Sequence, residues 1–283
     1  MKKSLCMVLA AIMITVSLTG CGGKGKEENQ ANAANRLESI KESGKLVVGT
    51  SPDFAPSEFI DNSSGKAEYA GCDIEFAKYI ADSLGVELEI KAMEFSAIQQ
   101  AIQSGTVDIG LSGFAYTEKR AEAMELTDKF NIKDKGGYQG VLVLKENVDA
   151  FTTKDDFKGK KIAGQNASLQ QNLIETQLEE VDFQPVTSIA DGVMMVVTGK
   201  VSALAVDSNN GESLMHNYPE VGIAQFKFEY GSEGNVIGIK KGEKELVEAI
   251  NEIIAEVNEK GLYEKWNDEA VELANSLGIK MEE

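Results

Sequence analysis

The chain is predicted to be an α/β protein of two lobes. A glycine, a short apolar strand, a second glycine and then polar residues run from Gly44 to Ser51 and again from Gly159 to Asn166, each looking like a lobe's first strand. A helix stopped by glycine and followed by a strand also occurs twice: Ala97 to Gly105 before residues 107–111, and Gly192 to Gly199 before residues 201–206. Between them lie helices such as Asp73 to Leu84, with Ile74, Ala77, Ile80, Ala81 and Leu84 on one face, the alternation that a layered α/β protein requires. One continuous sheet is the competing arrangement.

Before the first lobe, Lys2 and Lys3 precede an apolar run from Leu5 to Val16 and then Leu18-Thr19-Gly20-Cys21. A basic start, a short apolar stretch and small residues before a cleavage point read as an export signal over residues 1–20, too short for a permanent bilayer-spanning helix. Leu-Thr-Gly-Cys resembles the lipobox of bacterial lipoproteins, in which the cysteine becomes the lipidated first residue; an ordinary signal with Cys21 as bystander is the alternative. Two acyl chains on Cys21 would hold the protein at a membrane face, because one chain binds only marginally. Residues 21–35, mostly Gly, Lys, Glu, Asn, Gln and Ala without apolar period, read as a flexible tether.

The formal net charge is −18, becoming −20 once Lys2 and Lys3 leave with the signal. That balance argues against nucleic acid and anionic lipid as partners, since both need a basic patch, and it keeps an exported protein soluble. Of three cysteines, Cys6 leaves with the signal and Cys21 carries lipid, so Cys72 remains alone and no intramolecular disulfide is expected. One Cys and the lone His216 build no metal cluster, and no metal or cofactor is expected. Stability then rests on a hydrophobic core, for which residues 36–283 suffice as one large domain or two ordinary ones.

In open α/β sheets ligands bind beyond the carboxyl ends of the strands, and two facing lobes make a cleft. The residues expected there are Ser51 to Glu58, Ser112 to Arg120, Gln165 to Gln170 and Asp207 to Asn210. Five motifs follow one another: Val48-Gly49-Thr50-Ser51-Pro52-Asp53-Phe54-Ala55-Pro56, Gly71-Cys72-Asp73-Ile74-Glu75, Gly105-Thr106-Val107-Asp108-Ile109, Thr117-Glu118-Lys119-Arg120 and Gly261-Leu262-Tyr263-Glu264-Lys265-Trp266. From about Leu46 to Trp266 the chain thereby resembles the substrate-binding proteins of ATP-binding-cassette (ABC) importers for polar amino acids, extracellular solute-binding family 3. The resemblance implies a type II periplasmic-binding-protein-like fold, two α/β lobes joined by two crossover strands. Lobe 1 would take residues 36–134 plus 231–283, and lobe 2 residues 138–226. It further implies a monomer that captures an L-amino acid and hands it to a membrane permease.

Under that resemblance Arg120 grips the α-carboxylate with a planar fork that a lysine lacks, and the backbone N–H groups of Ser168 and Leu169, at a helix start, add to it. Asp207 takes the ammonium with a backbone carbonyl at Ser112 or Gly113, while Phe54 and Phe95 enclose the side chain. By pattern alone, Arg120 reads equally as an exposed first-turn arginine, Asp207 as a turn-former before Ser208-Asn209-Asn210-Gly211, and each phenylalanine as core. Ser51 stands where several cationic- and glutamine-binding relatives carry Asp, Gln165 where a charged residue can help choose the side chain, and Ala115 where Ser or Thr is usual. These neutral positions favour a polar uncharged amino acid; the alternative is a cationic one (Arg, Lys or His) served by Glu58 or Glu94 at the rim. Cys72 replaces a common Phe and is expected to be a small buried hydrophobe.

Crossovers near Ile132 to Tyr138 and Phe226 to Ser232 are expected to form a hinge, loosened by Gly136-Gly137, with ligand contacts from both lobes favouring the closed form. The enzymatic rival is a dehydratase, an activity of some relatives. It wants a positioned acid/base pair, and His216 lies well past the strand ends. A receptor or adhesion module is the other rival. The expectation is therefore a binding protein rather than an enzyme, extracytoplasmic and lipid-anchored to the cell membrane.

Overall fold

Two five-stranded sheets are built on one plan. A computed structural model describes residues 35–131, 137–231 and 234–281. In chain order the elements are α1 (Arg36–Ser43), β1 (Lys45–Thr50), β2 (Phe59–Asp61), β3 (Glu68–Ala70), α2 (Cys72–Leu84), β4 (Glu87–Ala92), α3 (Phe95–Ser104), β5 (Ile109–Gly110), α4 (Glu118–Ala123) and β6 (Glu125–Leu126). There follow β7 (Gln139–Leu144), β8 (Lys161–Gln165), α5 (Leu169–Gln177), β9 (Asp182–Val186), α6 (Ile189–Val197), β10 (Ala203–Asp207), α7 (Ser208–Asn217), β11 (Val221–Lys227), β12 (Gly238–Ile239), α8 (Lys244–Lys260) and α9 (Leu262–Ser276).

The first sheet has the order β4-β1-β5-β12-β6 and the second β11-β7-β10-β8-β9. Each contains three parallel strands, β4-β1-β5 and β9-β8-β10. Each is extended by an antiparallel neighbour, β12 against β5 and β7 against β10. The two segments that open with glycine are thus equivalent first strands, β1 and β8. No strand pairing joins the sheets among the described residues, which overturns the one-sheet alternative. The chain leaves the first sheet after β6, builds the second, and returns to complete the first with β12. Within the expected hinge, residues 132–136 and 232–233 lie outside the described residues, as do the signal, Cys21 and nearly all of the tether.

Local signals account for most elements. The α3 segment has its apolar residues at Phe95, Ile98, Ala101 and Ile102, all buried, and stops at Gly105, whose φ of 75° is the left-handed cap that glycine adopts without penalty. Helix α2 buries Ile74, Ala77, Ile80 and Ala81 as expected, together with Phe76 and, less expectedly, Asp73. The strand foreseen at 107–111 is shorter, because beyond Gly110 the chain turns out of the sheet toward Ser112.

Helices cover both faces of each sheet. On the first, α1, α2, α8 and α9 bury Ile40, Leu46, Phe76, Ile80, Ile250, Ile254 and Tyr263 on one side, and α3 buries Ile98 and Ile102 on the other. The second sheet is sandwiched in the same way, with Phe157, Ile162 and Ile174 on one side and Val193, Leu204 and Val206 on the other. Each such side chain contributes about 1.5–3 kcal/mol relative to exposure. These layers fix the strand ends, and so the site.

Candidate ligand-binding cleft

The carboxyl ends of β1 and β5 face those of β8 and β10, and the loops leaving them touch across the lobes. Gln165 Nε2 donates to Asp53 Oδ2 at 3.1 Å, and Asn210 Nδ2 donates to the Ala55 carbonyl at 3.4 Å. The carbonyl of Ala167 accepts from Gln99 Nε2 at 3.0 Å and from Arg120 Nη2 at 3.0 Å. Ala167 can present it there because its φ is 61°, an uncommon conformation for a residue with a Cβ and one that recurs at functional sites.

Arg120 is the pivot. Thr117 caps the short α4 by accepting the Arg120 backbone N–H at 3.2 Å, and this orients the side chain inward, where it is 3 % exposed. Nη1 donates to the Ala115 carbonyl at 2.6 Å, and the guanidinium carbon lies 4.8 Å from the Phe114 ring centre and 5.5 Å from that of Phe95. Two carbonyls and two ring faces hold the cation, but no carboxylate among the described residues pairs with it. Burial pulls its pKa down to about 10, still far enough above neutrality to keep the charge. A guanidinium has five N–H donors, so donors remain for an anion.

Beside it, Ser168 caps α5 by accepting the Gln171 N–H at 3.2 Å, and its own N–H donates to the Gln165 carbonyl at 3.2 Å. That N–H is therefore committed, while Leu169 opens the helix with the N–H groups that a first turn leaves unbonded. Gln170 Nε2 donates to Gln139 Oε1 at 2.8 Å, and Gln139 Nε2 donates to Asp207 Oδ2 at 2.9 Å, linking the start of α5 to the acid that ends β10. Asp207 also accepts the Asn209 N–H at 3.0 Å and so caps α7. The turn allowed for at Ser208-Asn209-Asn210-Gly211 is instead the first turn of that helix, because an Asx cap serves a helix start as well as a turn.

From the first lobe, the Ser51 N–H donates to Ser112 Oγ at 3.0 Å and Ser51 Oγ donates to Asp53 Oδ1 at 2.9 Å. Phe54 lies over Gly113, where an added Cβ would stand 3.2 Å from its ring. Phe95 meets Phe114 edge to face at 5.1 Å and is buried beneath Arg120. Ala115 is buried in the second lobe's apolar cluster. A shallow groove lined by Gly44, Lys45, Asp82 and Glu87 lies at the amino ends of β1 and β4, the wrong edge of the sheet for this site.

The model of the bacterial extracellular solute-binding proteins, family 3, matches residues 46–271. The chain belongs to this family. Solute-binding proteins of the family act outside the cytoplasm, and this one has the fold of the substrate-binding proteins of amino acid ABC transporters. It is 27% identical over 265 residues to a probable histidine-binding protein of Campylobacter jejuni, covering 93% of this chain and 96% of that protein. It is 25% identical over 234 residues to the L-cystine-binding protein TcyJ of Escherichia coli, covering 81% and 85% respectively. Among solved structures, the substrate-binding protein AbpA of Streptococcus pneumoniae, bound to L-arginine, superposes with a TM-score of 0.76 at 29% identity, covering 87% of this chain and all of that one.

The fold of this solute-binding protein gathers Ser51, Phe54, Phe95, Ser112, Gly113, Ala115, Arg120, Gln165, Ser168, Leu169 and Asp207 on the loops and helix starts at the facing strand ends. A further expectation fails. Glu58 is 1 % exposed, turned away from the rim into a bond from Ser112, while Glu94 is exposed ahead of α3. Sequence reasoning also missed Gln99 and Gln139, and within the expected stretches it gave Asp53 and Ala167 no role of their own. A signal existed for Gln99, one helical turn beyond Phe95 on the same face, and for Gln139, which faces Asp207 across the β7–β10 pairing.

Proposed function

We propose that this protein captures an L-amino acid between its lobes by hinge closure and delivers it to the permease of an ABC importer. The observation that carries the proposal is Arg120, a buried guanidinium bonded to carbonyls of both lobes, with donors in hand and no carboxylate beside it among the described residues. A buried charge without a counter-charge is costly, and a ligand α-carboxylate supplies the one that the described residues do not. Closure then follows from contacts: the carboxylate bonds Arg120 and the start of α5, while the ammonium meets Asp207 and the carbonyls of Ser112 or Gly113. Binding rather than turnover is part of the proposal, supported by relatives that are binding proteins. Lobe 1 is taken as residues 36–134 plus 231–283 and lobe 2 as 138–226, in one monomer.

The neutral Ser51 and Gln165 support a polar uncharged ligand. A cationic ligand is the second reading, supported by Asp53, whose carboxylate is bonded to both of those residues and brings an acid to the place where Ser51 lacks one. A thermal-shift series over the twenty amino acids, cystine and ornithine separates them, since a ligand at 100 times its Kd adds about 2.7 kcal/mol. If the cationic reading holds, Asp53→Asn weakens arginine or lysine about tenfold and leaves glutamine or cystine within about twofold, as expected for a partly exposed ion pair. Equal losses for both classes would return the choice to the neutral reading. Absence of any shift, in protein freed of carried-over ligand, would sink the amino-acid proposal.

Anchoring through lipidated Cys21 is proposed from the Leu-Thr-Gly-Cys motif. Cys21→Ser is expected to move the protein from the membrane fraction to the soluble one, and an unchanged distribution would count against the anchor.

A further inference from the structure

Behind the turn at Ser112 and Gly113 lies a pair of acids that neither ligand binding nor closure has used. Glu58 and Asp73 are each 1 % exposed. Glu58 Oε1 accepts the Ser112 hydroxyl at 2.7 Å, and that same Ser112 oxygen accepts the Ser51 N–H at 3.0 Å. Asp73 Oδ2 accepts the Gly113 N–H at 2.9 Å and Oδ1 accepts the Tyr263 phenol at 2.6 Å, with Cys72 Sγ 3.2 Å from the phenol oxygen. The two carboxyl groups meet each other. Glu58 Oε2 is fully buried and has no donor among the described residues.

An oxygen that can only accept, buried against another carboxylate, is a contradiction that one proton removes. Two anions side by side out of water are disfavoured twice, by desolvation and by their mutual repulsion. The charges acting on Glu58 are Asp73 and Asp53, both acidic; the other groups around the pair are the hydroxyls of Ser112 and Tyr263 and the Cys72 thiol. Asp73 already holds two donors and is the better anion. Burial and the neighbouring Asp73 push the Glu58 carboxyl well above the usual range, whereas the donors from Tyr263 and Gly113 restrain the rise at Asp73.

We propose that Glu58 is a neutral carboxylic acid that donates from Oε2 to Asp73, and that this shared proton positions the Ser112–Gly113 turn whose carbonyls face the ligand ammonium. The second half rests on the function proposed above. Both acids act as positioning residues, since their bonds run to Ser112 and Gly113 rather than to the cleft. Because the folded carboxyl keeps a proton that the unfolded chain gives up, its contribution to stability is whole at low pH and is lost as the pH rises through the folded value.

The test follows melting temperature and amino-acid Kd of the whole chain between about pH 5 and pH 9, where exposed carboxylates have finished titrating. Glu58→Gln offers an N–H to Asp73 and a carbonyl to Ser112 with nothing to titrate. It is expected to bind within about threefold of wild type at neutral pH and to flatten the fall in melting temperature, while Glu58→Ala and Asp73→Asn each lose about tenfold or more. The proposal is overturned if Glu58→Gln binds as poorly as Glu58→Ala, or if its melting temperature falls with pH as steeply as that of wild type. A measurement on wild type alone guards against a variant that does not fold. Unfolding at pH 7, compared in two buffers of different ionisation enthalpy, is expected to release about one proton or more, and no release would overturn the shared proton. If no amino acid binds wild type, the functional reading falls, while melting profile and proton release still decide the protonation.

Discussion

Replacing Arg120 with alanine is expected to abolish amino-acid binding and to leave the fold as stable as before or more so. The two effects have one cause. The guanidinium is buried with carbonyls and rings but no counter-charge among the described residues, so its desolvation is only partly offset and its removal relieves that cost. In the complex the same group would make charge-assisted, bidentate bonds to the carboxylate, and deleting one member of such a pair costs about 3 kcal/mol or more, at least a hundredfold in Kd. Arg120→Met, which keeps the volume and drops the charge, is expected to melt at or above wild type. Arg120→Lys keeps the charge without the fork and is expected to bind weakly. Calorimetry on the three variants reads both quantities. An alanine variant that binds normally would remove Arg120 from the site, and one that has unfolded would refute the stability half of the prediction.

Gly71→Ala is expected to be the most damaging single methyl addition. Gly71 has φ 126° and ψ 165°, a conformation open to glycine and almost closed to other residues. Its Cβ would stand 2.1 Å from the Ser57 carbonyl oxygen and 2.8 Å from that of Pro56. Neither oxygen can retreat, because they accept the Asp73 and Cys72 N–H groups at 2.9 and 3.1 Å and so dock the start of α2 on the loop after β1. Strain and lost bonds together should cost about 3 kcal/mol or more. The control is Gly85→Ala, at φ 73° with nothing within 4 Å of the added carbon, for which about 1–2 kcal/mol is expected. Urea denaturation of both measures the difference, and equal midpoints would refute the steric account. Since α2 carries Asp73, Gly71→Ala should also weaken ligand binding.

The two-lobed plan could be read from the chain because its signals are local. A glycine that ends α3 at Gly105, an apolar stripe through Ile74, Ala77, Ile80 and Ala81, and a short strand bounded by Gly44 and Gly49 each act within a few residues, over which backbone sterics and helical or strand period govern. Arg120 was legible as a residue beside a helix start, and its place in a shared motif added the rest. Packing of distant segments chose what happens to each polar group once those elements meet. Glu58 looks like a rim acid because it sits in a loop, yet it is buried with Asp73, whose other oxygen bonds Tyr263, 190 residues further along the chain. Asp53 and Gln165 are 112 residues apart, and Gln99 and Arg120 share the Ala167 carbonyl only because two lobes meet there. Hydrophobic period determines which face of an element turns inward. Which buried acid keeps a proton, and which buried cation has carbonyls but no carboxylate beside it among the described residues, depends on the few oxygens and N–H groups that other elements bring within about 3 Å, and no local pattern encodes those.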